Sequence, residues 1–116
     1  LFLTPYVSNV SEHLIEEVNS NGIRTTVTAS FDEKNEASVA RIRPTSIVDA
    51  VNELYSGQSA IFISCTNLQT FTIIEEIEKK CGCICFSSNQ VLIWQMLRLA
   101  EIDHNLRGYG KLLSKS

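Results

Sequence analysis

The run Ala60-Ile61-Phe62-Ile63, followed at once by Ser64-Cys65-Thr66-Asn67-Leu68, constrains this chain more than any other stretch. Three of its first four residues are β-branched or aromatic, which predicts a short strand buried on both faces. Small polar residues end the strand, and a helical pattern is expected directly beyond them. Strands of this kind belong to parallel α/β sheets, whose carboxyl ends form the ligand crevice. Cys65 is then a thiol at a strand end, expected beside a helix N-terminus whose dipole favours the thiolate. The opposing expectation for any free cysteine is a buried, inert core residue.

The rest of the chain supplies partners for that strand. Leu1-Phe2-Leu3 predicts an opening strand ended by Thr4-Pro5-Tyr6. Val10, Leu14, Ile15 and Val18 form the stripe of an amphipathic helix, with Asn9 and Glu12 as its capping pair and Gly22 at its stop. Ile23 to Ala29 alternates and is rich in β-branched residues, the pattern of a second strand. Ser30 to Ser38 is polar and acidic, the composition of a surface loop. Pro44 suits the first turn of a helix whose apolar face is Ile47, Val51 and Leu54, ended by Gly57. Beyond the central strand, Phe71, Ile74, Ile77 and Cys81 line a helix stopped by Gly82. Ile84-Cys85-Phe86 predicts a fourth strand, and Ser88 or Asn89 can cap a helix running to about Glu101. That last helix is apolar most of the way round, so it is expected to be covered on two sides.

This alternation of strands and helices predicts a three-layer α-β-α domain with a four-stranded parallel sheet in the flavodoxin-like order 2-1-3-4. A chain of 116 residues supports one such domain. Residues 1–102 are expected to form it, and 103–116 to be an irregular tail. The chain opens on Leu1 inside an apolar run, which suggests a piece of something longer.

A net charge of −3 gives no electrostatic reason to expect nucleic acid or an anionic membrane. No apolar run approaches the ~20 residues of a membrane span. No G-x-G-x-x-G follows the first strand, and there is no P-loop. A receiver domain would carry Asp where Cys65 stands, and a phosphatase loop would carry Arg within Thr66 to Thr70. Cys81, Cys83 and Cys85 alternate rather than pairing at zinc-ligand spacing, and His13 and His104 are isolated, so no metal site is expected. The four thiols are expected to be reduced, in a cytoplasmic protein.

Thr4-Pro5-Tyr6, Ser64-Cys65-Thr66-Asn67-Leu68, Ser88-Asn89-Gln90 with Trp94 and Leu97-Arg98-Leu99-Ala100, and Gly108-Tyr109-Gly110-Lys111-Leu112-Leu113 occur in this order. Together they resemble the aspartate/glutamate racemase superfamily, within it the maleate cis-trans isomerase and arylmalonate decarboxylase branch. Members have two similar domains with the active site between them, and this chain resembles the second.

The resemblance implies a cofactor-free enzyme acting on a small dicarboxylate or amino acid, with cysteines facing each other from the two domains. Cys65 matches the second-domain cysteine. Tyr6 matches a tyrosine that grips a substrate carboxylate, Thr66 and Asn67 offer donors nearby, and Asn35 is similar to an asparagine of the isomerases. Thr4 and Asn89 complete the implied substrate-binding set. Thr66, where decarboxylases tend to carry Gly, favours the isomerases. The implied partner is a preceding domain or a second copy of the chain, toward which the tail would return. Alone, the chain is expected to expose apolar surface, and either to dimerise or to hold a loose tail. The alternative is a non-catalytic fragment or a small-ligand-binding remnant.

Overall fold

The computed structural model describes residues 1–114. The elements run β1 (Phe2–Thr4), α1 (Ser8–Ser20), β2 (Thr28–Ser30), α2 (Glu36–Ala40), α3 (Pro44–Leu54), β3 (Ala60–Ile63), α4 (Ile74–Cys81), β4 (Ile84–Ser87), α5 (Ser88–Leu99) and α6 (Lys111–Ser114). The four strands pair in parallel in the order β2-β1-β3-β4. This is the predicted three-layer α/β architecture.

Alternation along β3 and β4 sends Ile61, Ile63 and Cys85 to one face, all fully buried. There they join Leu3, Ile47 and Val51 of α3, and Ile74 and Ile77 of α4, in one core cluster. The other face presents Phe2, Phe62 and Phe86, with Phe2 and Phe62 ring centroids 5.3 Å apart. These rings, with Val18 of α1 and Trp94 of α5, line an open groove of about 1030 Å³. In α5 only Gln90 is buried, while Leu92, Met96 and Leu99 are more than half exposed. The expected two-sided cover of this helix is therefore not supplied by the described residues.

Several boundaries differ from the sequence reading, each for a local reason. β2 is confined to Thr28–Ser30 because β1 pairs only from Phe2 onward, leaving Ile23 63% exposed. α1 begins at Ser8 behind Val7, with no side-chain cap, so Asn9 and Glu12 lie inside the helix. The acidic loop contains a short helix, α2, which Asn35 caps by accepting from the N–H groups of Ala37 and Ser38. α5 is capped one residue early, by Ser87, in a reciprocal capping box with Gln90.

The tail is not loose up to Ser114. Gln90 Nε2 donates to the Tyr109 carbonyl, and the buried Glu78 carboxylate accepts from the N–H groups of Lys111 at 2.8 Å and Cys85 at 3.0 Å. Leu113 is 1% exposed, and Leu106 N–H donates to its carbonyl. The expectation of an irregular tail is corrected at Lys111–Ser114, which are helical and bound to their own domain; residues 115 and 116 lie outside the described residues.

Candidate active site

β1 and β3 are adjacent and parallel, so the residues following them emerge side by side at one edge of the sheet. Tyr6 follows β1 and Cys65 follows β3. Tyr6 packs against the core cluster that holds Cys65, near enough for the thiol to act on its phenol. Burial first, then the neighbouring Cys65 side chain and the charge of Glu36, push the Tyr6 phenol well above its ordinary value. The backbone around Tyr6 is fixed on two sides, because Ser11 and Ser30 hydroxyls both donate to its carbonyl.

Cys65 is 5% exposed and has φ +114°, a conformation that costs a non-glycine residue about 1–3 kcal/mol. Its N–H donates to Ser88 Oγ at 3.0 Å, and Asn67 N–H donates to its sulfur at 3.4 Å. Two residues beyond a strained turn, a backbone donor is thus aimed at the thiol. The helix expected directly behind Cys65 is absent: residues 64–73 form a loop, and α4 starts only at Ile74. Ser64, Thr66, Asn67 and Thr70 favour turns over helix, and the positive φ of Cys65 lies outside the helical region. The predicted dipole of a following helix is therefore replaced by one local N–H.

The other expected site residues divide. Asn67 lies in the cluster, its Nδ2 donating to Glu36 Oε2 at 2.6 Å. Thr66 is exposed beside Cys65, and Asn89 Nδ2 donates to its carbonyl at 2.9 Å. Asn89 is thus engaged in holding the loop. Thr4 is fully buried and shares a 2.6 Å hydrogen bond with Ser11, which makes it a strand-to-helix tie. Asn35 spends its side-chain oxygen as the α2 cap, and its neighbour Glu36 is the residue that reaches the cluster. Glu36 is not among the expected site residues, and Ser88 is expected as a helix cap rather than as a partner of the cysteine loop; an N-cap asparagine followed by a first-turn carboxylate is the available signal for Glu36. Among the described residues, no three His, Cys, Asp or Glu are grouped so as to hold a metal ion. No helix among them is long and apolar enough to cross a membrane.

The raised Tyr6 value has a pH signature. The folded state holds this proton more tightly than the unfolded chain, whose phenol titrates near 10.0. Its contribution to stability is therefore complete below that pH and is lost as pH rises toward the folded value. Ultraviolet titration of the native protein should show Tyr6 phenolate appearing only above pH 10, and Tyr6→Phe should remove that late component. A Tyr6 component at or below the ordinary phenol range would show that the phenol is not shielded beside the thiol.

The arylmalonate decarboxylase family matches residues 2–113. The chain is 27% identical over 117 aligned positions to arylmalonate decarboxylase of Bordetella bronchiseptica, covering 97% of this chain and 49% of that protein. It is 22% identical to maleate isomerase of Geobacillus stearothermophilus, covering 97% and 45%. In fold it is similar to Nocardia farcinica maleate cis-trans isomerase, a Cys-to-Ser variant with a covalently bound succinylcysteine intermediate. That match has a TM-score of 0.93 at 18% identity and covers 97% of this chain and 47% of the other. The chain spans about half the length of the curated relatives it matches. Matched along nearly its whole length, the chain belongs to the arylmalonate decarboxylase family, in the branch that also holds the maleate isomerases.

Proposed function

We propose that Cys65 is the reacting thiol of a cofactor-independent isomerase, racemase or decarboxylase acting on a small dicarboxylate in the cytoplasm, with maleate isomerisation favoured. The observation that carries this reading is that Tyr6 and Cys65 emerge side by side from adjacent parallel strands while Asn67 N–H donates to the sulfur. In the isomerase form, the Cys65 thiolate adds to one alkene carbon and the π pair moves into the adjacent carboxylate as an enediolate. Rotation follows about what is then a single carbon–carbon bond. The pair returns, the carbon–sulfur bond breaks, and the thiolate leaves with the trans product. Tyr6 keeps its proton through the neutral range and donates to the substrate carboxylate. Preorganised donors stabilise the enediolate as its charge develops. The succinylcysteine intermediate of the Nocardia relative supports a covalent route, and Thr66 after the cysteine favours the isomerase over the decarboxylase.

The partner in this reading is a domain corresponding to the half of the relatives that this chain does not match. The exposed Leu92, Met96 and Leu99 support such a partner. A second reading, a ligand-binding remnant, draws on the Asn67 amide being already occupied by Glu36.

Maleate, phenylmalonate and aspartate, each incubated with the chain and followed by NMR, separate the branches. The expected result is slow formation of fumarate from maleate, at rates limited by the absence of a facing domain in the assay, and its loss in Cys65→Ala. Turnover that survives Cys65→Ala would overturn the assignment. Binding of maleate without turnover would establish the remnant reading instead.

A further inference from the structure

The first turn of α5 touches the cysteine loop through two consecutive side chains. Ser88 Oγ accepts Cys65 N–H at 3.0 Å, and Asn89 Nδ2 donates to the Thr66 carbonyl at 2.9 Å. The next residue, Gln90, is fully buried; its Oε1 accepts Ser87 N–H at 3.1 Å, and its Nε2 donates to the Tyr109 carbonyl. One helical turn therefore holds both the cysteine loop and the C-terminal strap. Tyr109 and Phe71, from the strap and the far end of the loop, meet edge to face at 5.8 Å.

Cys65 needs such a hold, because φ +114° is not a resting conformation for a residue with a Cβ. A loop free to relax would return Cys65 to negative φ and turn its sulfur away from the Asn67 N–H. Among the described residues, the side-chain acceptor for its own N–H is Ser88. Strain of this kind persists where the surroundings over-determine it.

We propose that Ser88 is a positioning residue for the Cys65 thiol: by accepting the Cys65 N–H it holds the strained turn that lets Asn67 N–H reach the sulfur. This deepens the reading of Cys65 as the reacting thiol and rests on it for its functional meaning. Asn89 assists through the Thr66 carbonyl, which belongs to the same peptide as the Asn67 N–H. The hydroxyl acts through hydrogen-bond acceptance, so threonine can replace serine and alanine cannot.

The test is amide hydrogen exchange at Asn67 in the native chain, read by NMR with Phe62 of β3 as internal reference. In Ser88→Ala, Asn67 exchange should accelerate at least about tenfold while Phe62, bonded to the Leu1 carbonyl, is unchanged. Ser88→Thr should restore the native rate. If Ser88→Ala fails to fold, Ser88→Cys, a weaker acceptor of similar size, should give a smaller acceleration of the same kind. A folded Ser88→Ala or Ser88→Cys protein with native Asn67 exchange would overturn the proposal, as would Ser88→Thr behaving like Ser88→Ala. None of these readouts depends on turnover. An unreactive Cys65 would remove the reading of its chemistry and leave the exchange result standing, whereas unchanged exchange removes the positioning role alone.

Discussion

Gly110→Ala is expected to destabilise the domain by about 3 kcal/mol or more, from two costs that add at one atom. Gly110 has φ +86°, which a side chain tolerates poorly, and an added methyl would lie 2.5 Å from Ile74 Cγ2 and 3.4 Å from Glu78 Oε2. Ile74 is fully buried in the core, so it has nowhere to move. The same residue is flanked by the two ties of the strap, the Tyr109 carbonyl on Gln90 and the Lys111 N–H on Glu78. Gly22 is the internal control: it also has φ +86°, yet an added methyl there meets nothing within 4 Å. Gly22→Ala should therefore cost only the backbone term, about 1 kcal/mol. Urea unfolding of both variants, with unchanged slope, measures the difference. Equal losses would show that the strap does not press on the core as described.

Cys65 carries the second large effect, in which stability and chemistry move in opposite directions. Cys65→Gly and Cys65→Ala both remove the thiol, and both should reduce thiol-dependent turnover to background. Their stabilities should nonetheless differ in an unusual order. Glycine is ordinarily the less favourable of the two in ordered backbone, yet at φ +114° it relieves strain that alanine retains. Cys65→Gly should be the more stable variant by about 1 kcal/mol or more. Denaturation midpoints test this, and alanine matching or exceeding glycine would mean that the turn is not strained in solution.

The fold was legible because its signals are local. Ala60–Ile63 is an unbroken apolar run, Pro44, Gly57 and Gly82 punctuate the helices, and Ile74 and Ile77 keep helical spacing. What escaped depends on groups distant in sequence. β2 shrank because its extent is set by the length of β1, which no pattern within Ile23–Ala29 can express. α2 escaped because five residues are too few to show periodicity, and its acidic surroundings resemble a loop. Phe71, Ile74 and Ile77 extend a helical pattern backwards toward Cys65, while the ties that keep that loop irregular come from Ser88 and Asn89, more than twenty positions away.

The candidate site divides the same way. Tyr6 and Cys65 were visible as residues at the ends of adjacent strands, and parallel topology brings such ends together. Asn35 is a candidate only through the resemblance to the isomerases, and in the structure capping chemistry claims it and leaves Glu36 to reach Asn67. Thr4, adjacent in sequence to the site, turns to Ser11 because it still belongs to the strand.

Selective carboxymethylation of the folded chain tests the central claim most directly. Iodoacetate is small and carries the carboxylate that Tyr6 and its neighbours are proposed to bind, and peptide mass spectrometry reports each of the four cysteines separately. Exposure alone favours Cys81, which is half-buried, over Cys65 at 5%. The account predicts the reverse: Cys65 is modified first, neutral iodoacetamide shows less preference for it, and maleate protects it. Modification of Cys81 first, with Cys65 the slowest of the four and indifferent to maleate, would contradict it.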